Sequence, residues 1–334
     1  MPAVSVIIPL LNKGPHIKRA LQSVLNQTIG DFEIIVVEGG STDNGPEVVR
    51  SFGDSRIKII PQSKKRPGVS AARNIGADEA RSDFIAFLDA DDKWMPTHLE
   101  TLLRLKRNIP EAGLYCMAYK ICEKNGKIRD VRIGGVPPPP WEGVIPNFFR
   151  TVALAENPSW TSVVGIRKEV FQESGGFPED VWYGEDTYLW GHIALKYPIA
   201  FSWDIGAIYY QTSVNRLSDK VPPLDQEPIV KELIKRIEHD EIPRSIREDI
   251  NEYIVRKEIF RAGKCVSFGE GKRALSIASK CRTKINRRRL LLLKLYCHVP
   301  QGLYLAARTL KQNLDHNRLK FREKRKGIHA KSEG

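Results

Sequence analysis

Four short apolar runs alternate with helix-forming segments over the first ninety residues of this 334-residue chain. The segment after the first run repeats Ile17, Leu21 and Val24 at helical spacing, which is typical of an amphipathic helix. Alternation of this kind predicts βαβ units and a largely parallel sheet with helices on both faces. The apolar runs that we expect to form its strands are residues 4–9, 32–37, 57–60 and 84–88.

The fourth apolar run leads directly into three carboxylates, Asp89, Asp91 and Asp92. Ligands bind at the carboxyl ends of strands in open α/β sheets. Closely spaced carboxylates repel one another, and a hard divalent cation such as Mg²⁺ or Mn²⁺ relieves that repulsion. The segment therefore predicts a metal site. The alternative is an acidic loop that caps the next helix, with Asp92 or Thr97 near its start.

Two further loops, residues 9–14 and 38–43, follow the first and second predicted strands at the same sheet edge. Convergence of such loops is how these sheets build nucleotide sites. Neither G-x-G-x-x-G nor G-x-x-x-x-G-K-[ST] occurs in these loops, which disfavours a dinucleotide fold and a P-loop. The three loops predict a site for a metal and a phosphate-bearing ligand.

Motifs spread over roughly residues 3–215 resemble those of family 2 glycosyltransferases of the GT-A fold. The resemblance rests on six segments in the family's order: 9–12, 37–43, 68–76, 88–92, 169–177 and 184–186. It implies an α/β GT-A domain with a mainly parallel central sheet flanked by helices. It also implies an inverting, Mn²⁺- or Mg²⁺-dependent transfer of a sugar from a nucleotide-diphosphate sugar to a glycan or lipid-linked hydroxyl.

The resemblance also implies roles for individual residues. Asp186 matches the family's catalytic base, and Glu185 would orient the acceptor or the base. Trp182, four residues before Asp186, is chosen on other grounds as the first candidate for an aromatic acceptor contact, because aromatic rings offer flat apolar surfaces on which sugars stack. Asp91 would ligate the metal, with Asp89 contacting the metal-bound water or the ribose. The residues expected to contact the nucleotide sugar are Pro9, Leu11, Asn12, Glu38, Arg73, Asp89 and Asp91.

Simpler structural roles compete with these assignments. Glu185 and Asp186 would stabilise a helix N-terminus through its dipole alone. Arg73 would be a surface arginine paired with Asp78 or Glu79. Tryptophans that are candidates to stack on sugar rings are more often core residues, and this applies to Trp141, Trp160 and Trp182.

The predicted base pocket departs from the family pattern, which often has an aromatic residue at Leu11 and an aspartate at Gly39. The nucleotide is therefore open between UDP, GDP and others. A catalytically inactive sugar-nucleotide-binding module is one alternative function. A nucleotidyltransferase is another, although it would show a glycine-rich basic loop after the first strand, where this chain has residues 10–13 as Leu-Leu-Asn-Lys.

The C-terminal part of the chain is helical in pattern and strongly basic. Residues 281–334 hold 15 Lys and Arg against 3 acids, nearly all of the net charge of +13. Arg287, Arg288 and Arg289 precede four leucines, a pattern that suits a helix lying on anionic lipid, with a solvated tail or docking helix as the alternative. Nucleic acid is not an expected partner, because no recognition motif is present.

The predicted domains are a GT-A catalytic domain at residues 1–220, a helical region at 221–315 and a basic disordered tail at 316–334. The five cysteines show no C-x-x-C spacing and are expected to be reduced thiols. No N-terminal signal pattern is evident. These features predict a cytoplasmic protein with peripheral association at the inner face of the membrane.

Overall fold

The computed structural model describes residues 1–62, 67–214, 216, 225–299 and 302–303. The chain divides into two compact units, one of residues 1–221 and 227–254 and the other of residues 222–226 and 255–334. The domain boundaries at 220 and 315 stay a prediction. The predicted disordered tail at 316–334 lies outside the described residues.

Within the described residues, the first unit is built on one mixed sheet of ten strands. These strands are β1 (Val4–Leu10), β2 (Phe32–Glu38), β3 (Ile57–Pro61), β4 (Phe84–Phe87), β5 (Lys93–Trp94), β6 (Leu114–Cys122), β7 (Ile128–Asp130), β8 (Glu142–Val144), β9 (Val164–Arg167) and β10 (Ile199–Tyr210). Their spatial order is β3-β2-β1-β4-β9-β6-β10-β5, with β7 beside β6 and β8 beside β10.

The two halves of the sheet differ in strand direction. Strands β3, β2, β1 and β4 are parallel, as the alternating pattern predicts. Strand β9 is antiparallel to both β4 and β6, and β10 then runs parallel to β6. The parallel half therefore brings the carboxyl ends of β1, β2 and β4, which the three predicted loops follow, to one edge. The second half extends the sheet beyond β4.

Helices flank this sheet in the first unit and make up the described part of the second. They are α1 (Gly14–Leu25), α2 (Gly45–Arg50), α3 (Val69–Glu79), α4 (His98–Asn108), α5 (Phe148–Leu154), α6 (Lys168–Glu173), α7 (Glu185–Lys196), α8 (Pro228–Glu238), α9 (Arg244–Ser267), α10 (Gly271–Lys280) and α11 (Arg287–Tyr296). A short 3₁₀ turn, Thr161–Val163, precedes β9.

Close packing of helix on strand fixes where the predicted site lies. Helix α3 crosses β1 at Gly76, where an added Cβ would lie 2.4 Å from Ile7 Cγ2. Only a residue without a Cβ permits this approach without a shift of Ile7, since core contacts are already at van der Waals distance. The N-terminal half of α3, which includes Arg73, is thereby held near the carboxyl ends of β1 and β4.

The second unit has a small core of its own. The end of α9 packs with α10 and α11 through buried side chains: Val255, Ile259, Ala262, Cys265, Val266, Ala274, Ile277, Ala278, Cys281 and Leu293. Among the described residues, no helix combines the length and apolar character that crossing a bilayer requires.

Candidate active site

The three predicted loops converge and are bonded to one another. The backbone N–H of Thr42 donates to Asn12 Oδ1 at 2.8 Å, and the N–H of Gly14 donates to Asp43 Oδ2 at 2.7 Å. Asn12 has a φ of 52°, a left-handed conformation that asparagine tolerates better than most residues. Asn12 and Asp43 therefore lock the first and second loops together, which is a structural role for Asn12 beside its predicted ligand contact.

Arg73 lies at the centre of the site and joins two carboxylates from distant parts of the chain. Its Nη2 donates to Asp89 Oδ1 at 2.8 Å, and its Nη1 donates to Glu185 Oε1 at 2.9 Å. The arginine is only 4% exposed, so it is not a surface residue paired with Asp78 or Glu79. This fork holds the end of β4 beside the start of α7.

The surroundings of Arg73 keep its guanidinium charged and in place. Burial alone would lower the pKa of Arg73, but the Asp89 and Glu185 carboxylates outweigh burial and raise this pKa above its ordinary value. The guanidinium also lies 5.0 Å from the centre of the Phe177 ring. Asn74 in turn bonds both backbone groups of Phe177, at 2.8 and 2.9 Å, which fixes that ring against α3.

Lys13 is a member of the site that sequence reasoning missed. Its ammonium group lies 2.6 Å from Asp91 Oδ2 and donates to the carbonyl of Val214 at 2.9 Å. Both side chains of the ion pair are about 15% exposed. Arg19 of α1 additionally donates to the backbone carbonyl of Asp91. The predicted metal ligand is thus paired with a lysine, and no local pattern in the sequence indicates this contact.

Asp92 is buried and takes part in holding the sheet end together. Ser162 Oγ and Trp160 Nε1 donate to its Oδ2 at 2.6 and 3.1 Å, and the N–H of Tyr210 donates to its Oδ1 at 3.1 Å. Burial and the two neighbouring aspartates raise the pKa of Asp92 to about 8, although the bonds from Ser162 and Trp160 act in the opposite direction. Thr97 is the N-cap residue of α4, as the alternative interpretation allowed, although its side chain makes no capping hydrogen bond. The interpretation of Asp92 as a helix cap is wrong, because its carboxylate is engaged by Ser162, Trp160 and Tyr210 instead.

Asp186 lies in the first turn of α7, directly after Glu185. Its Oδ1 accepts the N–H of Thr187 at 2.6 Å, and its Oδ2 lies 3.4 Å from Thr161 Oγ1. Because Glu185 is bonded to Arg73, the start of α7 is fixed to the carboxylates that follow β4. The structure therefore brings Asp186 to the same edge as Asp89 and supports either of its two predicted roles, base or helix stabiliser.

At the predicted base pocket an exposed leucine stands where the family often has an aromatic residue. Leu11 is 51% exposed and adjoins Gly39, where an added Cβ would lie 3.0 Å from Gln62 Oε1. An aspartate at position 39 would need Gln62 to move. Glu38 accepts the N–H of Ser41, so its carboxylate is engaged within its own loop. Pro9 is half-buried within β1, opposite β2, which makes it chiefly a strand residue.

The three candidate tryptophans differ in exposure. Trp182, just before α7, is 49% exposed, as an aromatic contact for an acceptor requires. Trp160 is partly buried, bonded to Asp92, with its ring centre 4.2 Å from that of Tyr209. Trp141 is also partly buried and lies against Gly143 of β8. Trp182 is therefore the most exposed of the three.

The oxygen donors present fit a divalent cation held jointly by protein and ligand. No cluster of three or more His, Cys, Asp or Glu side chains suited to a metal occurs in the part of the chain that the structure describes. Mg²⁺ does not need one, since it is commonly bound by one or two carboxylates together with substrate phosphates. Asp91 and the neighbouring Asp89 provide these one or two carboxylates. Lys13 would then have to leave Asp91 or share its carboxylate with the cation.

A mixed sheet with carboxylates at its parallel strand ends and an acidic helix start beside them defines a GT-A fold. Solved structures agree. TarS of Staphylococcus aureus, solved with UDP-GlcNAc, superposes with a TM-score of 0.64 at 17% identity over 89% of this chain and 88% of that one. A mannosyltransferase of Pyrobaculum calidifontis, solved with GDP-Man and Mn²⁺, gives 0.57 at 19% identity over 94% and 88%.

The family model of glycosyl transferase family 2 matches residues 5–173, half of the chain, and the chain belongs to that family. An uncharacterized glycosyltransferase of Rickettsia conorii is 36% identical over 194 residues, 58% of this chain and 30% of that protein. A GalNAc(5)-diNAcBac-PP-undecaprenol β-1,3-glucosyltransferase of Campylobacter jejuni is 34% identical over 130 residues, 38% of this chain and 41% of that protein. The matches thus span less than half of these two relatives.

Proposed function

We propose that this chain transfers a sugar from a nucleotide-diphosphate sugar to a hydroxyl group of a glycan or lipid-linked acceptor, with inversion at the anomeric carbon. The observation that carries the proposal is the Arg73 fork. It places Asp89, on the nucleotide side, beside Glu185 and hence beside the candidate base Asp186.

The reaction uses these residues in a simple order. Asp186 accepts the proton of the acceptor hydroxyl while the hydroxyl oxygen bonds to the anomeric carbon. The bond between that carbon and the phosphate oxygen breaks, and its electron pair stays on the nucleoside diphosphate. Asp91 would hold Mn²⁺ or Mg²⁺, and the bound cation would supply positive charge to offset that of the leaving group. Asp89, fixed by Arg73, orients the donor, and the exposed ring of Trp182 receives the acceptor.

The relatives support this class of substrates without choosing among its members. TarS was solved with UDP-GlcNAc, and the mannosyltransferase was solved with GDP-Man and Mn²⁺. The name of the Campylobacter relative describes an acceptor linked to undecaprenol through a diphosphate. A lipid-linked acceptor is therefore part of the proposal, and the predicted base pocket at Leu11 and Gly39 leaves UDP and GDP as the nucleotides to test first.

Nucleotide release from a panel of UDP-, GDP- and dTDP-sugars tests the proposal. We expect one donor to be cleaved slowly by water, only when Mn²⁺ or Mg²⁺ is present. Asp91→Asn should abolish this release, because an amide is a poor ligand for a hard cation. Asp83→Asn is the matched control, since that side chain is 81% exposed and pairs with Lys106, away from the three loops.

Other results would contradict the proposal in different ways. Donor binding by calorimetry without any release, even with lipid-linked or glycan acceptors added, would indicate an inactive binding module. Pyrophosphate formation from a sugar 1-phosphate and a nucleoside triphosphate would indicate a nucleotidyltransferase. Release that is equally fast in Asp91→Asn would exclude Asp91 as a metal ligand that the reaction requires.

Lys13→Met is expected to tighten Mn²⁺ binding by at least about fivefold, because a partly buried, charge-assisted pair with Asp91 then no longer competes with the cation. Titration calorimetry of Mn²⁺ without donor measures this directly, independently of activity. Arg50→Met, which breaks a pair whose side chains are more than 60% exposed, should leave the affinity unchanged. Unchanged affinity in Lys13→Met would show that the cation does not use the Asp91 carboxylate.

A further inference from the structure

Helix α11 of the second unit exposes a continuous apolar stripe. Leu291, Leu292 and Leu295 are 62%, 46% and 57% exposed. At 100° per residue these three positions lie within a 100° arc of the helix surface. The opposite face is the one that packs into the core of this unit, through Leu293 and the partly buried Leu290. The three exposed leucines therefore do not belong to the face of α11 that forms the core of this unit.

Two arginines border the same stripe. Arg287 and Arg288 are exposed. On the helical wheel Arg288 lies within the arc of the three leucines, and Arg287 lies 40° outside it, on the side of Leu291. No carboxylate pairs with either arginine within the ranges that the structure describes. In α11, apolar and positively charged groups thus share one surface, whereas an ordinary solvated helix keeps them on opposite faces.

This combination fits the surface of an anionic bilayer better than other partners. Leucines at the acyl boundary leave water, while arginines reach the phosphate groups above them because their long side chains extend outward. Nucleic acid would pair with the arginines and leave the leucines in water. A second copy would bring two strongly positive segments together, since residues 281–334 carry 15 basic and 3 acidic residues.

We propose that α11 lies on the surface of membranes that contain anionic lipid, with Leu291, Leu292 and Leu295 at the acyl boundary and Arg287 and Arg288 at the lipid phosphates. This inference does not depend on the glycosyl transfer proposed above. If both are correct, the helix concentrates the chain at the surface where a lipid-linked acceptor resides.

Cosedimentation of the full chain with vesicles tests the proposal. We expect binding to vesicles of phosphatidylcholine with phosphatidylglycerol and none to phosphatidylcholine alone. The triple variant Leu291→Ser, Leu292→Ser, Leu295→Ser should bind at least about tenfold more weakly, since apolar burial adds to the charge attraction. Arg287→Gln and Arg288→Gln should each weaken binding about fivefold at low salt, the factor that corresponds to about 1 kcal/mol per basic residue.

The control variant is Ile128→Ser, which removes a 49% exposed isoleucine from β7 of the first unit and should bind as the wild type does. Thermal unfolding should be unchanged in the triple variant, because its three side chains are exposed. Full binding by the triple variant would overturn the proposal, since the charge of the chain would then suffice. Equal binding to both kinds of vesicle, or conversion of a dimer to a monomer by the triple variant, would overturn it as well.

Discussion

Asp186→Asn is expected to lower the rate of nucleotide release by at least about 10²-fold, the usual contribution of a general base. Asparagine keeps an oxygen for the N–H of Thr187, now 2.6 Å from Asp186 Oδ1, so the start of α7 should persist. An amide cannot take the proton of an attacking hydroxyl at neutral pH. The measurement is the initial rate of nucleotide release from the donor that the wild type cleaves, with water as acceptor. Calorimetry measures the affinity for the same donor, and this affinity should not change.

Asp180→Asn is the matched control for this experiment, because Asp180 is exposed on the segment that precedes α7. The competing role for Asp186, stabilisation of the helix dipole, predicts a different pattern. It predicts a loss of about 0.3–1 kcal/mol in unfolding free energy with little change in rate. A folded Asp186→Asn protein that releases nucleotide at the wild-type rate would leave Asp186 with that role alone.

The parallel half of the sheet is readable from sequence because its information is local. Strands β1, β2 and β4 are buried on both faces, and such strands appear as short, largely apolar runs, interrupted here only by Ser5 in β1 and Glu33 in β2 before the strand ends. The helices between them carry apolar residues at a period of 3.6. Since parallel connections place successive strand ends at one edge, the meeting of the three loops follows from this pattern alone.

The strand order of the antiparallel half cannot be read from local sequence. The run at residues 114–122 is apolar enough to indicate β6, and residues 199–210 are a weaker signal for β10. Their order in the sheet, however, places β9 between β4 and β6, although β9 comes later in the chain than both. Pairing of this kind depends on side-chain fit across the finished core, which no local period encodes.

Contacts between distant residues account for the rest of what sequence reasoning missed. Lys13 and Asp91 are 78 residues apart, and Ser162 and Asp92 are 70 apart. A lysine in a turn and a serine in a 3₁₀ turn are both ordinary surface residues by pattern. Only the fold shows that Lys13 pairs with Asp91, the predicted metal ligand. Likewise, only the fold shows that Ser162 donates a hydrogen bond to the buried Asp92.

Arg73→Met is expected to lower the free energy of unfolding by about 3–5 kcal/mol, the usual cost of removing one partner of a buried ion pair. The side chains of Asp89 and Glu185 are 23% and 12% exposed, so their charges would face each other with little water between them. Urea unfolding followed by circular dichroism measures the loss. Arg73→Lys should lose less, because an ammonium group keeps the charge but cannot reach both carboxylates as the guanidinium fork does.

A triple variant distinguishes two causes of the lower stability of Arg73→Met, charge repulsion and loss of packing. If repulsion between Asp89 and Glu185 causes it, the triple variant Arg73→Met, Asp89→Asn, Glu185→Gln should regain much of the stability while remaining unable to release nucleotide. If packing on Phe177 dominates instead, the triple variant will be as unstable as Arg73→Met. Stability equal to wild type in Arg73→Met itself would contradict the fork as a structural element and leave Arg73 a role toward the donor alone.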